Sequence, residues 1–165
     1  MLVVADTSPL NYLVWIESVE ILPQLFGRVI IPPEVREELL APDAPLVVRS
    51  WAKALPDWIE VQTPDAALLD DFRWQSLDRG ERAAFALATS NQPSMLLIDE
   101  RAGSAIARGL GLSITGTLGV LDEAARRKLI SLPSAILRLK QTSFRYPKAI
   151  VARLLEEDAL RLQTP

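Results

Sequence analysis

The chain has 165 residues, 49% hydrophobic and 24% charged, the profile of one globular domain with a sizeable core. It contains no histidine and no cysteine, which excludes disulfides, thiolate nucleophiles, a Ser-His-Asp triad and an ordinary zinc site. Any catalysis must therefore run on carboxylates, hydroxyls, amines, backbone amides or a hard metal ion.

Short apolar runs alternate with helix-like stretches along the chain. Leu2–Ala5 reads as a buried strand, followed by a helix from about Pro9 to Ser18. Val19–Phe26 reads as a second short helix disturbed by Pro23. Arg28–Ile31 is strand-like, and Pro32-Pro33 ends it and starts a helix at Glu34, because proline suits a first helical turn. Leu46–Leu55 reads as helix, Trp58–Val61 as strand and Asp65–Trp74 as a weaker helix. Asp78 followed by Glu81 is a capping-box pattern that opens the next helix. Met95–Ile98 is a strand, Arg101–Arg108 a helix, Leu112–Thr115 a last strand, and a helix follows Thr117. Two further helices, about Pro133–Lys140 and Pro147–Leu162, close the pattern. Continuously apolar strands separated by helices indicate a parallel sheet covered on both faces. The expectation is a single α/β domain, three-layer α/β/α with about five strands. Residues 1–130 form its core and 131–165 its C-terminal helices. Trp15, Trp51, Trp58 and Trp74 are expected to pack rather than to stack on bases.

The net charge of −3 hides an asymmetry. Residues 1–99 carry seven basic and fifteen acidic side chains; residues 100–165 carry eleven and six. No acid lies between Ala124 and Leu155, a stretch holding Arg126, Arg127, Lys128, Arg138, Lys140, Arg145, Lys148 and Arg153. That pattern permits a positive surface beside an acidic site, or simply a solvated helical face. No run of about 20 apolar residues exists, so no membrane span is expected, and the expected location is cytoplasmic.

In open parallel sheets the ligand site lies beyond the C-terminal strand ends. Asp6 follows the first strand directly, Asp99 and Glu100 follow Met95–Ile98, and Thr115 precedes Gly116-Thr117. In the helix from Glu34, Val35 and Leu39 mark the buried stripe; Glu38 flanks it and Glu37 lies nearly opposite. Glu81 shares a face with Ala84, Phe85 and Ala88. Each acid also has a plain reading: Asp6 as a helix cap, Glu81 as the capping-box partner of Asp78, Glu38 as a surface acid. Of the Asp99-Glu100 pair, Asp99 is favoured as the inward one. Four converging carboxylates need cations, and oxygen-only ligation suits Mg²⁺ or Mn²⁺. Such ions can support in-line phosphoryl displacement by water. No P-loop, dinucleotide loop, dehalogenase-type or receiver-type pattern is present.

The ordered set Val4-Ala5-Asp6-Thr7-Ser8-Pro9-Leu10, Ile31-Pro32-Pro33-Glu34-Val35-Arg36-Glu37-Glu38-Leu39, Leu77-Asp78-Arg79-Gly80-Glu81-Arg82-Ala83, Leu96-Leu97-Ile98-Asp99-Glu100-Arg101 and Gly111 through Leu121 resembles the PIN-domain family of metal-dependent nucleases. Within that family it resembles a PIN-like prokaryotic branch long labelled a domain of unknown function. The resemblance implies a three-layer fold with an acidic pocket for Mg²⁺ or Mn²⁺ and cleavage of RNA to 5′-phosphate and 3′-hydroxyl ends. It often goes with the toxin half of a toxin–antitoxin pair. It carries the family acids onto Asp6, Glu38, Glu81 and Asp99, as catalytic residues and metal ligands. Thr7, Ser8, Glu100 and Thr117 become the groups supporting them. The sequence departs from common PIN domains in having Glu81 where Asp is usual. Implied partners are RNA, held by basic residues of the C-terminal half, a small antitoxin protein and a second copy of the chain. Leu10, Leu13, Val14, Ile21 and Leu22 are either interface or core. The rival reading is an inactive PIN-like module that binds RNA or a protein; a flap-type DNA nuclease is a third.

Overall fold

The computed structural model describes residues 2–71, 73, 75–91, 94–99 and 101–163, with the backbone alone at 101 and 102. Trp74 and Glu100, named above, lie outside the described residues. In chain order the elements are β1 (Leu2–Ala5), α1 (Thr7–Trp15), α2 (Ile21–Phe26), β2 (Val29–Ile31), α3 (Pro33–Leu39), α4 (Leu46–Lys53) and β3 (Ile59–Val61). There follow α5 (Ala66–Leu69), α6 (Arg79–Ser90), β4 (Ser94–Leu97), α7 (Arg101–Gly109), β5 (Ser113–Thr115), α8 (Thr117–Arg126), α9 (Leu132–Leu139) and α10 (Lys148–Gln163).

The five strands form one sheet in the order β3-β2-β1-β4-β5, and every neighbouring pair is parallel. The chain thus builds outward from β1 in one direction, then returns to the other side of β1 for β4 and β5. The reversal falls between β1 and β4, where Ala5 pairs with Leu97. Helices leaving those two strands diverge, and a crevice opens at their C-terminal ends.

Alternation along the strands divides the core into two layers. Val3 and Ala5 of β1, with Val29, Ile31 and Leu97, face a layer that includes side chains of α1, α2, α3, α4, α8, α9 and α10. Val4, Ile30, Leu96 and Ile98 face the opposite way, onto Ala84, Phe85 and Ala88 of α6 and Ala107 of α7. This is the three-layer α/β/α architecture that continuous apolar strands require. Leu10, Leu13, Val14, Ile21 and Leu22 are all buried in the first layer, so they are core rather than exposed interface. Trp15, Trp51 and Trp58 pack against the same layer. Among the described residues no helix is long and apolar enough to cross a membrane.

The sequence-based boundaries shift in ways that proline explains. Helix α1 begins at Thr7, not Pro9, and α2 at Ile21, with Pro9 and Pro23 each in the first turn. First-turn N–H groups have no partner within the helix, so proline there costs no hydrogen bond. The change matters, because it puts Thr7 and Ser8 on the helix rather than before it. Beyond Val61, α5 is a single turn where a longer helix over 65–74 was expected.

Phe85 is fully buried where α6 meets the sheet. Phe85→Ala is expected to destabilise the protein by about 3–5 kcal/mol. Urea denaturation checks this; a loss below about 1 kcal/mol would mean the α6 layer is not packed as described.

Candidate active site

The crevice between β1 and β4 holds a cleft of about 460 Å³ lined by Asp6, Glu38, Asp78, Glu81 and Asp99 together with hydroxyl side chains. Each acid arrives by a different route. Asp6 is the residue between β1 and α1, and its backbone N–H donates to the Leu97 carbonyl at 3.0 Å, which ties it to β4. It precedes α1 as the N-cap residue, yet its side chain makes no capping hydrogen bond. It is 4% exposed, and its Oδ1 is buried with no hydrogen-bond partner.

Glu38 reaches the cleft from the last turn of α3. The Thr7 hydroxyl donates to its Oε2, and the Gly80 N–H donates to its Oε1 at 3.0 Å. Glu37, one position earlier, is exposed and pairs with Arg79 at 2.7 Å. A Cβ on Gly80 would lie 2.5 Å from Glu38 Oε1, so only glycine lets this carboxylate dock on the first turn of α6.

Asp99 is built in the same way at the start of α8. The Thr117 N–H donates to its Oδ1 at 2.7 Å. Its Oδ2 accepts from the Thr117 hydroxyl at 2.6 Å and from Ser8 at 3.2 Å. A Cβ on Gly116 would lie 2.6 Å from Asp99 Oδ1. Glu81 forms a full capping box: its N–H donates to Asp78 Oδ1 at 2.8 Å, and Asp78 N–H donates to Glu81 Oε2 at 3.1 Å. Glu81 is therefore both the capping partner and a wall of the cleft.

A family model described as "DUF3368: PIN domain" matches residues 2–159. The chain belongs to the PIN-domain family. No curated protein and no solved structure matches it. PIN domains are generally nucleases that cleave phosphodiester bonds and typically use divalent metals such as Mg²⁺.

The electrostatics of this PIN domain centre on Asp6. Burial pushes its carboxyl up from 3.8 to about 8, and Glu81, Asp78 and Glu38 add repulsion; the Thr7 amide pulls the other way. Burial also raises Glu38, with the Thr7 hydroxyl opposing it and Asp78 adding to it. Asp99 is raised by burial too, although Thr117 and Ser8 favour its charged form. Among the described residues no three carboxylates form a ready-made metal cage. The donor set nevertheless fits a hard divalent ion. It is all oxygen, and its most buried acid has an orphaned oxygen that a cation would satisfy. Mg²⁺ commonly keeps several waters and takes only one or two carboxylates.

Sequence reasoning treated Asp78 only as a cap and passed over Gly80 and Gly116 as contacts. It also missed Asn11, Tyr12, Ser143 and Phe144 in the wall. Asp78 could have been found from its adjacency to Glu81; the others carry no periodic signal. Three of the eight basic residues of the Ala124–Leu155 stretch are paired with acids away from the cleft. Arg126 and Arg127 bind Asp122 and Glu123 on α8, at 2.9 and 2.8 Å, and Arg153 meets Glu157 at 3.7 Å.

Two outcomes are expected. Folded Asp6 keeps a proton between pH 4 and 8 that the unfolded chain releases, so metal-free protein loses stability as pH rises across that window. The slope for this one proton is about 1.4 kcal/mol per pH unit. Asp6→Asn should flatten it, as read from urea midpoints between pH 5 and pH 8. Gly80→Ala should remain within about 1 kcal/mol of wild type in stability, because helix propensity favours alanine. It should also raise the titration of Glu38, which loses the Gly80 N–H; carboxyl NMR of Glu38 reads this, and an unmoved titration counts against the contact.

Proposed function

We propose that this PIN domain is a Mg²⁺- or Mn²⁺-dependent ribonuclease that hydrolyses RNA phosphodiester bonds at the Asp6 cleft. The observation that carries the reading is the buried, unpartnered Asp6 Oδ1 at the sheet's reversal point, with Glu38, Glu81 and Asp99 lining the same cleft. A carboxylate so placed is costly in its charged form unless a cation joins it. Asp6 would hold the ion, with Asp99, Glu81 and Glu38 completing its surroundings directly or through water. A bound divalent ion supplies polarisation of the phosphoryl group and a water of lowered pKa.

The chain's own groups do the positioning. Thr7 and Gly80 fix Glu38, while Thr117 and Ser8 fix Asp99, so both carboxylates are oriented before any ligand arrives. Such preorganisation removes a reorganisation cost from the reacting state. The choice of RNA over DNA rests on the motif resemblance.

The rival reading, an inactive binding module, has one observation in its favour: Glu81 is already engaged in a capping box. A labelled structured RNA incubated with Mn²⁺ separates the two. Cutting is expected with wild type, and neither with EDTA present nor with Asp6→Asn. Mn²⁺ should also raise the melting temperature of wild type and not of Asp6→Asn, since a ligand stabilises only the state that binds it. Undiminished cutting by Asp6→Asn would overturn the assignment. Absence of both cutting and a Mn²⁺ shift in wild type would favour the inactive module.

A further inference from the structure

Beside the acidic cleft lies a second one, of about 720 Å³. The two share Asp99, Phe144 and Arg145 as lining residues. Asp99 is the second cleft's one acid among the described residues, and Phe144, Tyr146, Leu118 and Ile150 give it aromatic and aliphatic walls. It is continuous with a site for phosphodiesters yet chemically unlike it.

The segment between α9 and α10 makes the boundary. The Tyr12 hydroxyl lies 3.2 Å from Ser143 Oγ, and the Phe144 ring packs edge-on to Tyr12 at 4.9 Å. The Lys140 ammonium sits 5.7 Å from the centre of the Tyr146 ring. The two Tyr12 contacts hold the segment against α1, and Phe144 and Tyr146 are half-buried. Arg145 lies between them in the chain. It is exposed, and it is the one cationic side chain lining either cleft among the described residues. No ion pair or hydrogen bond within the described residues engages it.

We propose that the second cleft is a nucleotide subsite for single-stranded RNA. A base lies against the aromatic wall of Phe144 and Tyr146, and Arg145 pairs with the phosphate linking that nucleotide to the one at Asp6. The inference rests on the nuclease reading. An anionic strand entering a cleft of five acids needs a cation on its path, and Arg145 is placed at that entry. Aromatic rings accept any base by its face, and only an unpaired strand exposes those faces. A guanidinium also presents a planar fork to phosphate oxygens.

The test is fluorescence anisotropy of a labelled single-stranded RNA with the full chain in EDTA, which reads binding without hydrolysis. Arg145→Gln should weaken binding at least about fivefold and reduce the slope of log affinity against log salt by about 0.7, one phosphate contact on a single strand. Phe144→Leu should weaken binding about fivefold or more, and Phe144→Trp should restore it. All three should melt like wild type, and a blunt duplex of the same sequence should bind more weakly than the single strand. Wild-type affinity and salt slope in Arg145→Gln would overturn the proposal. So would equal effects of Phe144→Leu and Phe144→Trp, a preference for the duplex, or no RNA binding by wild type. The two readings fail separately. If wild type cuts RNA with Mn²⁺ while the variants bind normally, the nuclease stands and the subsite falls. If the variants behave as expected and wild type never cuts, the subsite stands and the nuclease falls.

Discussion

A carboxylate that is 4% exposed, with one oxygen unpartnered, sits at the point where the sheet reverses. Burying an isolated charge is among the costliest things a fold can do, and the usual escape is protonation. Asp6 takes that escape, with a carboxyl pushed up to about 8. Four other acids line the same cleft, and three of them, Glu81, Asp78 and Glu38, deepen the effect. The arrangement works against stability near neutral pH in the absence of a cation. A cation that replaced the proton would relieve both the desolvation and the repulsion, so the affinity for such an ion would be linked to pH through this one residue. That link gives a physical reason for a fold to retain such a residue, which a structural role for Asp6 would not.

The other acids are treated quite differently. Glu38 and Asp99 each rest on the first turn of a helix and accept a backbone N–H there, as well as a hydroxyl. Helix N-termini favour negative charge, so these docks are electrostatically sound as well as geometrically tight. Both depend on a glycine whose Cβ would collide with the carboxylate. The outcome is a division of labour. Two acids are fixed by the protein, Glu81 is held by its capping box, and Asp6 alone has an orphaned oxygen among the site's acids.

This division also sorts what the sequence made legible. The parallel sheet was readable because β1, β2 and β4 are apolar on both faces, and Asp6 and Asp99 follow their strands immediately. Helix starts were less readable: Pro9 reads as the first helical residue and Pro23 as a disturbance, whereas both lie inside a first turn, where a missing N–H is harmless. The carboxylate docks were not readable at all. Glu38 meets Gly80 across 42 positions and Asp99 meets Thr117 across 18. Such contacts follow from strand order and helix packing, not from any local pattern. The charge asymmetry misled in a further way. It counts residues rather than partners, and most of the arginines on α8 and α10 are consumed by neighbouring acids.

What remains of the basic half at the cleft is a single arginine, and its placement follows from the topology. A parallel sheet leaves its C-terminal edge open, because each crossover carries the chain back to the opposite edge. Something outside the sheet must wall the crevice on the side away from α3 and α6. Helices α9 and α10 both contribute buried side chains to the layer that also contains α1 and α8. The eight residues between Leu139 and Lys148 connect them, and Tyr12 anchors this connection to α1 just beyond Asp6. Anchoring at Ser143 and Phe144 puts the next residue, Arg145, at the rim shared by the acidic and apolar clefts. The C-terminal hairpin is thus more than an appendage to an α/β core. It supplies the one cationic side chain that lines the crevice among the described residues, and it adds Phe144 to the aromatic surface that Tyr12 begins.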